Sequence, residues 1–196
     1  MVRNKSKKAD EMFCIQSNTM LLQPVDSGQK TIVLESYKEP KLIHEKTFTI
    51  VRKSCLHYLS TYDGRKKASK QLLGVKTKLP LVIDHVGGIY LFPVSSHVKP
   101  DCVWISLAHV QNLNTVEKKQ TEITFKDGQK AIVNASILVL FSQIHLAMEL
   151  QKRTKRFGCG STGEKVERKR WVSGRKGLMI SFADRKEREE EKDSKC

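Results

Sequence analysis

Apolar residues recur at two spacings along this chain. Up to about residue 135 they come in short runs broken by Gly, Pro, Asp and Ser. Such runs, rich in β-branched residues, read as strands. The run Met20-Leu-Leu-Gln-Pro and the run Thr31–Ser36 flank Asp26-Ser27-Gly28, which predicts a hairpin. Lys41–His44 and Thr47–Ile50 are weaker strand candidates around Pro40. Three more strands are expected at Leu79–Asp84, Ile89–Pro93 and Cys102–Ser106, with turns at Gly87-Gly88 and Ser95–His97. The second of these is apolar almost throughout, the signature of an interior strand covered on both faces. Thr121–Phe125 and Lys130–Asn134 enclose Asp127-Gly128, a hairpin turn signal.

Helical spacing appears in three places. Val51, Cys55, Tyr58 and Leu59 share one face of a short helix over residues 51–60. Asp63 is placed to cap a second helix, Gly64–Leu73, and Gly74 to stop it. Its Ala68, Leu72 and Leu73 are expected to face inward. After Ser136, a candidate cap, Ile137, Phe141, Ile144 and Met148 form a stripe that Leu140, Ala147 and Leu150 widen. This helix, reaching about Lys152, either docks on the sheet or forms a dimer contact. Lys152, Arg153 and Lys155 at its end complement the dipole. The pattern predicts an α+β fold: a mostly antiparallel sheet, two short basic helices in the middle, and one longer C-terminal helix.

Charge changes the picture. The 196 residues hold 36 Lys and Arg against 21 Asp and Glu, a formal charge of +15. That balance favours nucleic acid or an anionic surface as partner. Between Thr49 and Lys78, eight cations meet a single acid, Asp63. Cations in a first helical turn oppose the dipole at a few tenths of a kcal/mol each. They read either as a solvated face or as a polyanion contact. A membrane surface is the weaker partner, because the basic helices lack a bulky exposed apolar face. Residues 1–11 read as a disordered basic arm. Residues 156–196 read as a basic tail, disordered or loosely helical, closed by a mixed charge run from Phe182 to Cys196.

Catalytic and metal signatures are weak. The five cysteines are widely and irregularly spaced and form no C-x-x-C pair, so free thiols in a reducing compartment are expected and zinc is not. Cys55 and Cys102 should pack as small hydrophobes. Gly158–Gly163 satisfies G-x-G-x-x-G but follows a cationic helix end rather than a strand, which removes its dinucleotide meaning. No H-E-x-x-H or G-x-S-x-G occurs, and the six His are scattered. Neither an enzyme nor a cofactor is expected. No apolar run approaches the ~18 residues of a membrane span, and no signal peptide is evident, so a cytoplasmic, nucleoid-associated protein is expected.

Several blocks carry a family likeness: Lys53-Ser54-Cys55, Ser60–Arg65 (STYDGR), Lys78-Leu79-Pro80, Leu91–Ser96 (LFPVSS), and Cys102–Ser106 (CVWIS) followed by His109. In this order the chain resembles the ComK family of bacterial competence transcription factors over about residues 12–155; the tail does not. The resemblance implies binding to double-stranded DNA at paired A·T-rich promoter boxes, mainly through the minor groove, by dimers acting in pairs. It also implies RNA polymerase and a Clp-type adaptor and protease as partners. Arg65, Lys66, Lys67 and Lys70 are the expected DNA contacts, with Arg52, Lys53, Lys76 and Lys78 on backbone phosphates. Ser95, Ser96 and His97 lie in a loop where they can donate to phosphates. The alternatives are a non-specific nucleic-acid-binding protein, or a family member whose replaced C-terminus impairs activation.

Overall fold

The computed structural model describes residues 13–158, 169–174 and 177–182. Strands β1 (Thr19–Val25), β2 (Lys30–Glu35), β3 (Lys41–Ile43), β4 (Leu81–Asp84), β5 (Ile89–Pro93) and β6 (Trp104–Ser106) form one sheet in the order β3-β2-β1-β6-β5-β4. Strands β7 (Val110–Glu117), β8 (Gln120–Phe125), β9 (Lys130–Val133), β10 (Lys169–Gly174) and β11 (Gly177–Phe182) form a second, in the order β10-β11-β7-β8-β9. Every pairing is antiparallel. The helices are α1 (Thr47–His57), α2 (Tyr62–Leu73) and α3 (Ile137–Gly158). The α+β class and the single long C-terminal helix agree with the sequence; the division into two sheets does not follow from it.

Alternation along the first sheet builds two cores. On β5, Ile89 and Leu91 face one side while Tyr90 and Phe92 face the other, and all are buried. The first side packs Leu22, Leu81, Ile83 and Trp104 against Ile50, Val51 and Cys55 of α1. The second packs Phe92 and Ile105 against Leu113, Ile123 and Phe125 of the other sheet and Leu140, Ile144, Ala147 and Leu150 of α3. The first sheet is thus a central layer, with α1 on one side and α3 with the second sheet on the other. Helix α3 docks inward. Its deepest line is Leu140, Ile144, Ala147 and Leu150; Ile137, Phe141 and Met148 are partly buried beside it.

Three local readings need correction. Residues 47–50 are the first turn of α1 rather than a strand. Thr47, Ile50, Val51, Ser54 and Cys55 are buried at spacings of three and four, and that face overrides the β-propensity of Thr and Ile. Helix α2 is capped by Thr61, whose hydroxyl accepts from Gly64 N at 3.1 Å, so Asp63 lies inside the first turn. Gly74 does end it, at φ 72°. Ser69 rather than Ala68 faces inward. Within residues 156–196, expected as a tail, β10 and β11 form a hairpin, and Leu178 and Met179 pair with Leu113 and Asn112 of β7. Trp171-Val172 and Leu178–Phe182 carry strand-forming residues that the surrounding charge obscures. The arm 1–11, the glycine motif beyond Gly158 and the charge run past Phe182 lie outside the described residues.

Candidate nucleic-acid interface

The predicted site residues divide into three groups. Arg65 is turned inward. Its guanidinium donates to the carbonyl oxygens of Tyr58, at 2.8 Å, and of Val82. It ties the end of α1 and the start of α2 to β4. Its place at the first turn of α2, beside the tight α1–α2 corner, gives it this role, and the cation count alone does not distinguish it from its neighbours. Lys53 is also engaged, in an ion pair with Glu45. Ser95 is turned away as well: its hydroxyl is buried beside the Cys102 thiol, and its carbonyl accepts from that thiol at 3.4 Å.

Arg52, Lys67, Lys70 and Lys76 are exposed, and Lys66 and Lys78 half-buried. Among the described residues none of these six forms an ion pair. Lys66, Lys76 and Lys78 come together with Ser96 and His97 around one cavity of about 210 Å³. No carboxylate among the described residues lines it. Its apolar wall is Leu79, Pro93 and Trp104. Trp104 is 1% exposed and therefore belongs to the core.

A cluster of rings adjoins this cavity through Tyr62 and His97. Phe48 of α1 and Tyr62 of α2 meet edge to face with centroids 4.9 Å apart. His97 lies against both at 5.4 Å. Arg52 stands over Phe48 at 6.0 Å and Lys66 over Tyr62 at 5.9 Å. Rings beneath cations at that range hold them while leaving their charge uncompensated. Burial holds the His97 imidazole below its ordinary value. Lys66 pushes it further down, while Asp63 opposes. Near neutral pH His97 is therefore uncharged.

From α3, Gln143 reaches the backbone of two residues of the cavity wall. This amide is 5% exposed. With its nitrogen turned toward them, as the surrounding acceptors require, it donates to the carbonyls of Lys78 at 2.8 Å and Pro93 at 3.1 Å. Lys78 sits at φ 49°, a conformation that side chains rarely adopt. A buried polar clamp on a strained residue is a common device at binding sites. Sequence reading missed Phe48, Tyr62 and Gln143. Gln143 has a visible signal, a polar residue between Leu140 and Ile144 on the apolar side of α3.

The thiols fit a structural role. Cys14, Cys55 and Cys102 are free. Burial pushes Cys55 up to about 11, although Arg65 opposes it. No helix among the described residues is long and apolar enough to cross a membrane.

A family model described as ComK protein matches residues 10–156. The competence transcription factor of Bacillus subtilis (strain 168) is 36% identical over 87 residues, which cover 44% of this chain and 45% of that protein. The chain therefore spans less than half the length of that curated relative in the matched region. No solved structure matches.

Proposed function

The chain belongs to the ComK family, and from that premise we propose that it regulates transcription of competence genes by binding A·T-rich duplex DNA. The observation that carries this reading is a set of six cations without an ion pair among the described residues, Arg52, Lys66, Lys67, Lys70, Lys76 and Lys78. They are contributed by α1, α2 and the connection after α2. An A·T-rich minor groove is narrow and electronegative and takes Lys and Arg side chains favourably. It also separates A·T from G·C with few contacts. The similarity to a curated competence transcription factor supports the biological setting. Homodimers paired on DNA, RNA polymerase, and a Clp-type adaptor and protease are the partners this reading carries.

The test is a footprint on a competence-gene promoter, with competition by A·T-rich duplex, G·C-rich duplex and single-stranded RNA. Protection of A·T boxes, displaced best by A·T-rich duplex, is expected. If about 6–8 phosphates are neutralised per protomer, log K falls against log salt with a slope of about −5 to −7. Equal competition by all three would instead make this a non-specific nucleic-acid-binding protein, with the basic segment beyond Lys152 as its main contact.

A further inference from the structure

We propose that the cavity beneath Lys66, Lys76 and Lys78 is a receptor for a single phosphate group, supplied on DNA by one backbone phosphate. This deepens the DNA-binding reading and rests on it for the source of the phosphate.

Size, charge and donor chemistry agree. A volume of about 210 Å³ is large beside the roughly 30 Å³ of a water molecule in the liquid. It holds a tetrahedral anion with part of its hydration. Three lysines line it, with no carboxylate among the described residues, and Thr77, Ser96 and His97 are neutral polar residues beside them. Like charges gathered at one concavity repel one another, and a bound anion removes that repulsion. The apolar wall of Leu79, Pro93 and Trp104 excludes water on one side and strengthens the attraction.

A nucleobase is a poorer occupant. Bases stack on open aromatic faces. Tyr62 is only 6% exposed, and Phe48, His97 and Lys66 already surround its ring. The backbone is also prepared for a small, fixed target. Gln143 holds Lys78 in its left-handed conformation, which sets where the Lys78 side chain leaves the chain.

His97 makes occupancy sensitive to pH. The charged groups around it are Asp63 and Lys66 from α2, Lys76 and Lys78 across the cavity, and Arg52 over Phe48 of α1; Lys99 and Asp101 lie on its own loop. Cations dominate this set. A phosphate reverses their effect and favours the imidazolium, so phosphate binds more tightly as pH falls toward the value of the free His97 imidazole, which burial holds below the ordinary one.

The experiment uses the full chain in two arms. The first follows the His97 imidazole by NMR during titration with inorganic phosphate. The second measures binding of an A·T-rich duplex against salt and pH, for wild type, K66M/K76M, H97Q and K118M. Lys118 lies in the β7–β8 turn of the other sheet and serves as the control. Thermal melts confirm that each variant is folded. The expected result is a His97 response to phosphate that K66M/K76M loses. In the second arm, K66M/K76M should lower the salt slope by about two while K118M leaves it unchanged. Wild-type affinity should rise severalfold from pH 7.5 to 5.5, and H97Q should flatten that rise. An unchanged slope in K66M/K76M, with no His97 response to phosphate, overturns the receptor. A His97 response with an unchanged slope keeps a phosphate receptor but assigns it to a soluble phosphate ester. Failure of wild type to bind any duplex overturns the DNA reading by itself, and the first arm still decides the cavity.

Discussion

The guanidinium of Arg65 lies 2.8 Å from the carbonyl oxygen of Tyr58, and its other terminal nitrogen serves Val82. The cation that a sequence motif makes most prominent is therefore a brace between α1, α2 and β4. Replacing it leaves two carbonyls without their donor. Arg65→Ala is expected to cost about 1–3 kcal/mol in urea unfolding, while the folded fraction keeps most of its DNA affinity. A large loss of affinity at unchanged stability would return Arg65 to the interface.

Lys53 and Lys67 offer a matched comparison. Lys67 is exposed and unpaired among the described residues, whereas Lys53 is held by Glu45. Lys67→Ala should reduce the salt slope of duplex binding by about one. Lys53→Ala should change it less, because part of its charge is already met.

Gln143→Leu tests the clamp from α3. It keeps the volume and removes the donor to Lys78 and Pro93. The expected loss is about 1–3 kcal/mol, from carbonyls left unsatisfied in the interior. The melting temperature reads it, and phosphate affinity of the cavity should fall as Lys78 is released.

Leu59 occupies the left-handed region at φ 58° and is 97% exposed. The end of α1 imposes this: Ser60 N reaches back to Cys55 O at 3.0 Å. Such a conformation costs a non-glycine residue roughly 1–2 kcal/mol, partly offset by the greater chain entropy of glycine. Leu59→Gly should raise stability by about 0.5–1 kcal/mol, read as a higher melting temperature.

Acid stability should turn on Asp127. Burial pushes its carboxyl up, but the amides of Tyr37 and Gln129 and the Gln129 side chain outweigh that and hold it below its ordinary value. A depressed carboxylate stabilises the fold above its unfolded value, near pH 4, and that contribution is lost as pH falls through the folded one. His97 acts earlier. Its folded value lies below its unfolded value, so stability declines as pH drops from about 6.5. Urea midpoints against pH should fall in both windows. Asp127→Asn should flatten the lower window and His97→Gln the upper.

Strand and helix periods along residues 19–150 made most of the architecture legible, including the interior position of β5 and the inward face of α3. The reading of residues 47–50 erred because Thr and Ile favour strands locally, while the burial that fixes α1 involves residues distant in sequence. The site was legible as a region rather than as a set. Lys66, Lys76, Lys78, Ser96 and His97 line one cavity. Nothing in the chain itself distinguishes them from Arg65, Lys53 and Ser95, whose partners are a carbonyl on β4, a carboxylate before α1 and the packing beneath a loop. Which way a cation points depends on contacts across the fold, and a one-dimensional charge count does not contain them.

The pairing of β11 with β7 bears on how this protein can be shortened. A version ending at residue 155 would strip the covering strand from β7 and lay bare a ladder of amides and carbonyls around Asn112 and Leu113. Such an uncapped border invites another copy to add itself there. Clumping of the shortened form would then reflect a missing seam, with no bearing on whether the tail takes part in gene activation.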